Sequence, residues 1–283
     1  MLKQRVITAL VMLAVLLPAI FYPEPHAFGA VALALISAGA WEWGKLNQCS
    51  QSISLLLGAA CGILCLLSWY LGLLYWPLAT LWMLAGSIWV VVGAWLLNGG
   101  VKVWAEVPHP VRLFGGVMAL WVAWVSVAQA RIVGINFLFS VLVLVWVADI
   151  AAYFAGRAFG GRFFGRKLAP SISPGKTWEG ACGGMLGVVI CAFVWRAADS
   201  TGSLGSSSLY TRLADVHPAL MVLAVLFLAS MSVVGDLVES LFKRSAGVKD
   251  SSNLLPGHGG VLDRVDALLP ILPLAMMLAT LKI

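Results

Sequence analysis

Charged side chains are scarce in this sequence. Only 11% of its 283 residues are Asp, Glu, Lys or Arg, whereas 61% are hydrophobic. A soluble domain is about 25% charged and about 45–50% apolar, so an ordinary soluble enzyme is excluded. Acidic residues are the scarcer sign, and the formal net charge is +6. In a chain this apolar, the excess of cations indicates a lipid bilayer as partner and does not require nucleic acid.

Cysteine pairs and internal repeats are also missing. The five cysteines are odd in number, and most lie inside apolar runs, with no Cys or His spacing typical of a zinc site. This excludes a disulfide scaffold. The absence of a clear internal repeat argues against a secondary transporter, because many transporters are built from inverted halves.

Long apolar runs fill most of the chain. A transmembrane helix needs roughly 20 apolar residues. We predict an all-α, polytopic membrane bundle of about nine such helices, or eight if the shortest runs merge. We assign 1–133 to N-terminal transmembrane helices and 134–283 to a catalytic region with cytoplasmic loops 157–179 and 239–266. The predicted spans are 6–22, 27–43, 53–72, 76–97, 112–130, 134–156, 180–197, 218–238 and 267–282.

The placement of Lys and Arg predicts the orientation, because these residues accumulate in cytoplasmic loops. With the N-terminus inside and the C-terminus outside, all but four of the 18 cations fall on the cytoplasmic side. The four exceptions are Arg131, Arg196, Arg212 and Lys282.

The loop 157–179 carries five cations and several glycines. Gly175-Lys176-Thr177 suggests a nucleotide-binding phosphate loop, but Pro170 stands where that motif requires glycine. Two interpretations remain. Ser173, Lys176 and Thr177 could bind an anion at the start of the next helix, or Thr177 could simply cap that helix, with Glu179 in its first turn.

Two helices carry polar stripes. Asp236, Glu239, Ser240 and Lys243 share one helical face at spacings of 0, 3, 4 and 7. Carboxylates at the membrane are costly unless paired or ligating, so this stripe is a candidate site, with a structural Asp–Lys pair as the alternative. In the sixth span, three polar residues recur every four positions, forming either a polar wall that enters the bilayer or a buried interhelical hydrogen bond. They are Asp149, Tyr153 and Arg157.

The last cytoplasmic loop combines carboxylates, cations and glycines. Glycines flank His258 and predict a backbone that approaches a ligand closely. Asp250, Asp263 and Asp266 supply hard oxygen ligands without thiolates, which suggests Mg²⁺ with a phosphate-rich ligand.

A long pattern runs through this loop. It comprises Ser240 to Arg244, Lys249-Asp250, Ser252, Leu255-Pro256, His258 to Val261 and Asp263 to Asp266. This pattern resembles the signature of the phosphatidate cytidylyltransferase (CDP-diacylglycerol synthase) family. Shorter pieces, such as Trp41-Glu42-Trp43, are similar as well. The resemblance is strong over the second half of the chain, whereas over the first half, apart from that short motif, it rests on hydropathy.

The resemblance implies the Mg²⁺-dependent reaction of CTP with phosphatidic acid to give CDP-diacylglycerol and pyrophosphate. It implies metal ligands at Asp236 and Asp263, a second cation such as K⁺, a homodimer and a bacterial inner membrane location with the active site facing the cytoplasm. A lipid or polyprenol kinase and, less well supported, an anion transporter are the alternatives. The expected catalytic residues are Asp236, Asp263, Lys243, Lys249 and Asp266; the expected substrate-binding residues are Ser173, Lys176, Thr177, Ser240, Arg244, Asp250, His258, Gly259, Gly260, Arg264, Asp149 and Tyr153.

Overall fold

The computed structural model describes residues 2–202 and 205–280 of the chain. Long helices dominate it, as the apolar runs predict. They are α1 (Leu2–Phe21), α2 (Pro25–Leu46), α3 (Gln51–Tyr70), α4 (Ala79–Glu106), α5 (His109–Val133), α6 (Ile135–Phe159), α7 (Trp178–Asp199) and α9 (Pro218–Ser245). Short helices are α8 (Leu209–Val216), α10 (Leu262–Val265) and α11 (Leu268–Thr280), and a small sheet has strands β1 (Lys167–Ala169) and β2 (Ser173–Thr177).

Eight helices in the described part of the chain are long and apolar enough to cross a membrane. The all-α polytopic bundle is therefore confirmed. The ninth predicted span corresponds to α11, which has 13 residues, eight of them buried. At 1.5 Å per residue it is only about 20 Å long, so a ninth crossing stays a prediction. The last residues of that predicted span, including Lys282, lie outside the described residues.

Consecutive connections lie at opposite ends of the bundle. At one end, called the site end here, Arg5 Nε of α1 donates to Gly257 O at 3.1 Å in the segment between α9 and α10. At the other end, Arg131 Nε of α5 donates to Ile20 O at 2.7 Å. This alternation agrees with the predicted topology and leaves its orientation relative to the cytoplasm as a prediction.

Small residues bring α6 and α7 into close contact. A Cβ atom on Gly183 would lie 2.1 Å from Ala155 Cβ, and one on Gly187 would lie 2.6 Å from Ala151 Cβ. Close helix approach of this kind is a main source of cohesion inside a bilayer. It places the N-terminal end of α7, and β2 before it, beside the polar face of α6.

The segment predicted as the loop 157–179 folds into an antiparallel hairpin, which the sequence did not predict. Thr177 lies opposite Lys167, and Ser173 lies opposite Ala169. Glu179 anchors the segment before the hairpin, because its Oε1 accepts hydrogen bonds from the backbone N–H groups of Phe163 and Phe164, both at 3.1 Å.

Candidate active site

A cavity of about 430 Å³ lies at the site end, between α6, α7, α9 and the hairpin. Most of its wall is apolar, formed by residues such as Ala148, Met185 and Val233. Six polar or charged side chains also line it, so the polar wall predicted on α6 faces a cavity. These residues are Asp149, Tyr153, Arg157, Lys176, Thr177 and Asp236.

Asp236 of α9 is held at the cavity wall by two partners. Lys176 Nζ of β2 lies 2.6 Å from Asp236 Oδ2, and both side chains are about one-quarter to one-third exposed. Ser240 Oγ, one turn further along α9, donates to Asp236 Oδ1 at 3.3 Å. The predicted stripe on α9 therefore exists, but the lysine that pairs with Asp236 comes from the hairpin.

Lys243, the last member of the stripe, lies between two carboxylates. Its ammonium pairs with Glu239 one turn earlier in α9 and lies 2.6 Å from Asp263 Oδ1. The Lys243 side chain is only 12% exposed. A buried ammonium needs such partners, because desolvation of an unpaired charge is costly.

Both carboxylate oxygens of Asp263 have partners within the protein. Lys243 occupies Oδ1, whereas Oδ2 accepts hydrogen bonds at 2.8 Å from Ser251 N, Ser251 Oγ and Gly260 N. Burial raises the pKa of this carboxyl, but the Lys243 charge and the backbone donors outweigh burial and hold the pKa below its ordinary value. Asp263 is therefore an ionised and firmly positioned carboxylate.

Glu42 of α2 belongs to this site, although the sequence assigned no catalytic role to residues 1–133. Its side chain is fully buried. Its Oε1 accepts from Ser252 Oγ at 2.6 Å and Val261 N at 2.9 Å, and its Oε2 accepts from Leu262 N at 2.8 Å. One signal existed in the sequence, namely a lone carboxylate between two tryptophans near the end of an apolar run.

Gly259 and Gly260 lie against the protein's own carboxylates, and the close approach of this backbone to a ligand stays a prediction. A Cβ on Gly260 would lie 2.4 Å from Glu42 Oε1, and one on Gly259 would lie 2.7 Å from Asp263 Oδ2. Gly257 and Gly259 also have left-handed backbone conformations, with φ of +75° and +81°, which favour glycine. His258 N donates to Leu255 O at 2.8 Å and closes this turn.

Three other candidate residues have structural contacts. Thr177 Oγ1 accepts from Gly180 N at 3.1 Å and caps α7, which is the alternative that the sequence left open. Arg244 Nε donates to Ile172 O at 3.2 Å and ties α9 to the hairpin turn. Ser173 pairs across the hairpin and is not among the cavity-lining residues.

Three further candidates are exposed charged residues at the site end, and their side chains form no hydrogen bond or ion pair with any side chain or backbone group that the structure describes. They are Lys249, Asp250 and Arg264. Side chains of this kind are available to a soluble ligand.

The donor set fits a divalent cation that is shared with a phosphate ligand. The pKa of Asp266 is raised to about 7 by burial and by the negative charge of Asp236, so an additional positive charge would stabilise this region. Within residues 2–202 and 205–280, no three His, Cys, Asp or Glu side chains converge on one point. Mg²⁺ commonly takes one or two carboxylates and completes its shell with water and substrate phosphates.

Comparison with known proteins identifies the family. The model of the cytidylyltransferase family matches residues 3–281. This chain belongs to the cytidylyltransferase family. This cytidylyltransferase is 39% identical over 286 residues to the phosphatidate cytidylyltransferase of Pseudomonas aeruginosa. The alignment covers 96% of this chain and 95% of the relative. It is 35% identical over 295 residues to that of Haemophilus influenzae, covering 96% of each, and 38% identical over 148 residues to that of Bacillus subtilis, covering 52% of this chain and 49% of the relative.

Proposed function

We propose that this cytidylyltransferase is a phosphatidate cytidylyltransferase, which transfers CMP from CTP to phosphatidic acid and releases CDP-diacylglycerol and pyrophosphate. The observation that carries the proposal is a largely apolar cavity among membrane helices whose wall bears a lysine–aspartate pair, Lys176 and Asp236. An apolar chamber with a charged wall suits a lipid phosphate. The two relatives that align along nearly their whole length bear this enzyme's name.

The chemistry needs positive charge more than it needs a base. A phosphomonoester has a second pKa of about 6, so phosphatidic acid at neutral pH is largely dianionic and already nucleophilic. Its oxygen attacks the α-phosphorus of CTP, and pyrophosphate leaves. Lys176 at the cavity wall is placed to bind the lipid phosphate, whereas the exposed Lys249 and Arg264 are free to bind the triphosphate. Such cations lower the barrier by stabilising the charge of the phosphoryl oxygens.

Asp236 and Asp263 are the residues that would hold Mg²⁺, as the resemblance implies. The ion, when bound, supplies Lewis-acid stabilisation of the triphosphate. Lys176 and Lys243 each lie 2.6 Å from one of these carboxylates. Binding of the ion therefore requires that lysine contacts loosen, which would free ammonium groups to bind phosphate oxygens.

The acyl chains of the lipid would leave the cavity along α6. Tyr153 lines the cavity and is 59% exposed on the outer surface of the described chain. Ile150 and Phe154 beside it are also exposed and apolar. This surface gives the chains a route between the cavity and the bilayer.

The location and the assembly are part of the proposal. The chain is an integral membrane protein, and we place it in a bacterial inner membrane with the site end facing the cytoplasm, where the positive-inside distribution of Lys and Arg puts it. A homodimer and a K⁺ ion beside Mg²⁺ rest on the family resemblance.

A labelling experiment tests the reaction and separates the alternatives. The purified protein in detergent is incubated with phosphatidic acid, MgCl₂ and CTP that carries label either in the cytosine ring or in the γ-phosphate. We expect the cytosine label in the lipid and the γ label in pyrophosphate. Transfer of the γ label to the lipid would establish a kinase instead. Uptake of an anion into liposomes without any lipid product would support the transporter.

A further inference from the structure

The contacts of Glu42 join two distant parts of the chain. All four hydrogen bonds that its carboxylate accepts come from the segment 251–262, more than 200 residues later in the sequence. The donors are two backbone N–H groups and two serine hydroxyls. Among the described residues, no Lys, Arg or His lies within 4 Å of this carboxylate. Among the side chains that the structure describes, the hydrogen bonds that stabilise its charge all come from this segment.

The same segment holds Asp263. Three successive backbone N–H groups are divided between the two carboxylates, since Gly260 N donates to Asp263 Oδ2 whereas Val261 N and Leu262 N donate to Glu42. Neighbouring peptide planes share an α-carbon, so the hydrogen bonds of Val261 N and Leu262 N to Glu42 restrict the direction in which Gly260 N points. Ser251 provides a second connection, because its Oγ lies 2.8 Å from Asp263 Oδ2 and 3.2 Å from Glu42 Oε2.

The packing leaves little freedom for this arrangement to change. A Cβ atom on Gly260 would lie 2.1 Å from Ser251 Oγ and 2.4 Å from Glu42 Oε1. Glu42 and the buried Ser251 thus enclose Gly260 on two sides. Functional groups held this way by surrounding hydrogen bonds keep their geometry within a fraction of an ångström.

We propose that Glu42 is a positioning residue, whose buried carboxylate fixes the segment 251–262 and thereby the orientation of Asp263. Its consequence for turnover rests on the function proposed above. Glu42 is fully buried and its carboxylate accepts hydrogen bonds from the segment, so it acts through the segment.

The substitution Glu42→Gln tests this role while preserving the volume of the side chain. An amide offers one acceptor oxygen, and its NH₂ group would face an N–H donor of the segment. At least one of the two backbone hydrogen bonds, from Val261 N or Leu262 N, is therefore lost, whereas a serine hydroxyl can rotate and accept from the NH₂ group. We expect hydrogen–deuterium exchange of the Val261 and Leu262 amides to accelerate about tenfold or more, since bonds to a charged acceptor are among the stronger ones. This readout requires no substrate.

The kinetic readout is the Mg²⁺ requirement. We expect Glu42→Gln to raise the MgCl₂ concentration for half-maximal CTP-dependent activity about tenfold and to lower kcat, with the KM for phosphatidic acid unchanged, because small misplacements of reacting groups reduce rates strongly. Ser252→Ala, which removes the 2.6 Å bond but keeps the carboxylate, should shift both readouts in the same direction by a smaller factor. Ser252→Ala also tests the proposal if the Glu42→Gln variant does not fold.

Asp199→Asn is the matched control. Asp199 lies at the opposite end of the bundle and accepts hydrogen bonds from Asn136, Ser208 and Thr211. We expect a lower Tm but wild-type exchange in 251–262 and a wild-type Mg²⁺ requirement. Unchanged exchange in Glu42→Gln and Ser252→Ala would overturn the proposal, as would a fall in kcat with an unaltered Mg²⁺ requirement. If the wild-type protein makes no CDP-diacylglycerol, the proposed function fails while the exchange experiment still decides whether Glu42 holds the segment.

Discussion

The two carboxylates proposed to hold Mg²⁺ have different surroundings, which predicts different effects of the same substitution. The side chain of Asp236 is 31% exposed, and its partners are one lysine and one hydroxyl. The side chain of Asp263 is 4% exposed, and it accepts from a buried lysine and from three further donors. We predict that Asp236→Asn and Asp263→Asn both abolish turnover, but that only Asp263→Asn markedly destabilises the protein.

The magnitudes follow from burial. Loss of a partly exposed ion pair such as Lys176–Asp236 costs about 0–1 kcal/mol. Removal of one partner from a buried pair costs about 3–5 kcal/mol. For Asp263→Asn we expect a loss near the lower end of this range, because Lys243 keeps its ion pair with Glu239. With a change of roughly 2–4 °C in Tm per kcal/mol for chains of 150–250 residues, Asp263→Asn should lower Tm by at least about 6 °C, against about 4 °C or less for Asp236→Asn.

The assay compares the wild type and both variants, purified in one detergent. Thermal unfolding gives Tm, and conversion of CTP and phosphatidic acid to CDP-diacylglycerol gives turnover over a range of MgCl₂ concentrations. Full activity in either variant would refute the metal assignment. Equal losses of Tm in the two variants would refute the reasoning from burial.

Three further predictions concern single residues at the site end. Gly260→Ala should lower turnover about 100-fold, because the added Cβ would overlap Glu42 and Ser251. Gly115→Ala in α5 should leave turnover unchanged, because the added Cβ meets no atom within 4 Å. Equal effects of the two substitutions would contradict the steric argument. Lys249→Ala should raise the KM for CTP about tenfold without changing Tm, since this exposed lysine has no described protein partner; an unaltered KM would exclude a role in CTP binding. The pKa of Asp266 is about 7 in the folded protein and about 4 when the chain is unfolded. The free energy of unfolding therefore falls as the pH rises from about 4 to about 7. Asp266→Asn should reduce the dependence of Tm on pH between about pH 5 and pH 8.

The helices could be predicted because the bilayer imposes a simple rule. A crossing segment needs a long apolar run, and each predicted span overlaps a helix of the structure. The hairpin 167–177 could not be predicted, because its strands are short and rich in Lys, Pro and Gly and show no apolar alternation. Its strand pairing depends on contacts with α7 and α9, which local sequence does not contain.

The site was predictable only where its members share a helix. The spacing of Asp236 and Ser240 predicted their contact, because residues four apart face the same side. The pairing of Lys176 with Asp236 joins separate elements, and the contacts of Glu42 span more than 200 residues. No period in the sequence relates such positions, so they required the packed structure.

The few charges of the chain also show where a ligand is needed. Two buried charges away from the cavity are satisfied by the protein: Arg131 donates to Ile20 O and Tyr22 O, and Glu42 accepts four hydrogen bonds. Asp149, by contrast, lines the cavity, and its side chain forms no hydrogen bond or ion pair with any described residue. In the same part of the chain, Asp266 accepts only from the adjacent Ala267 N, and its charge interacts with those of the cavity residues Asp236 and Asp149. In a chain this apolar, a carboxylate that has few hydrogen-bond or charge partners lowers the stability of the fold. That cost is concentrated around one cavity, which is the arrangement expected when the compensating cations and donors arrive with the substrates.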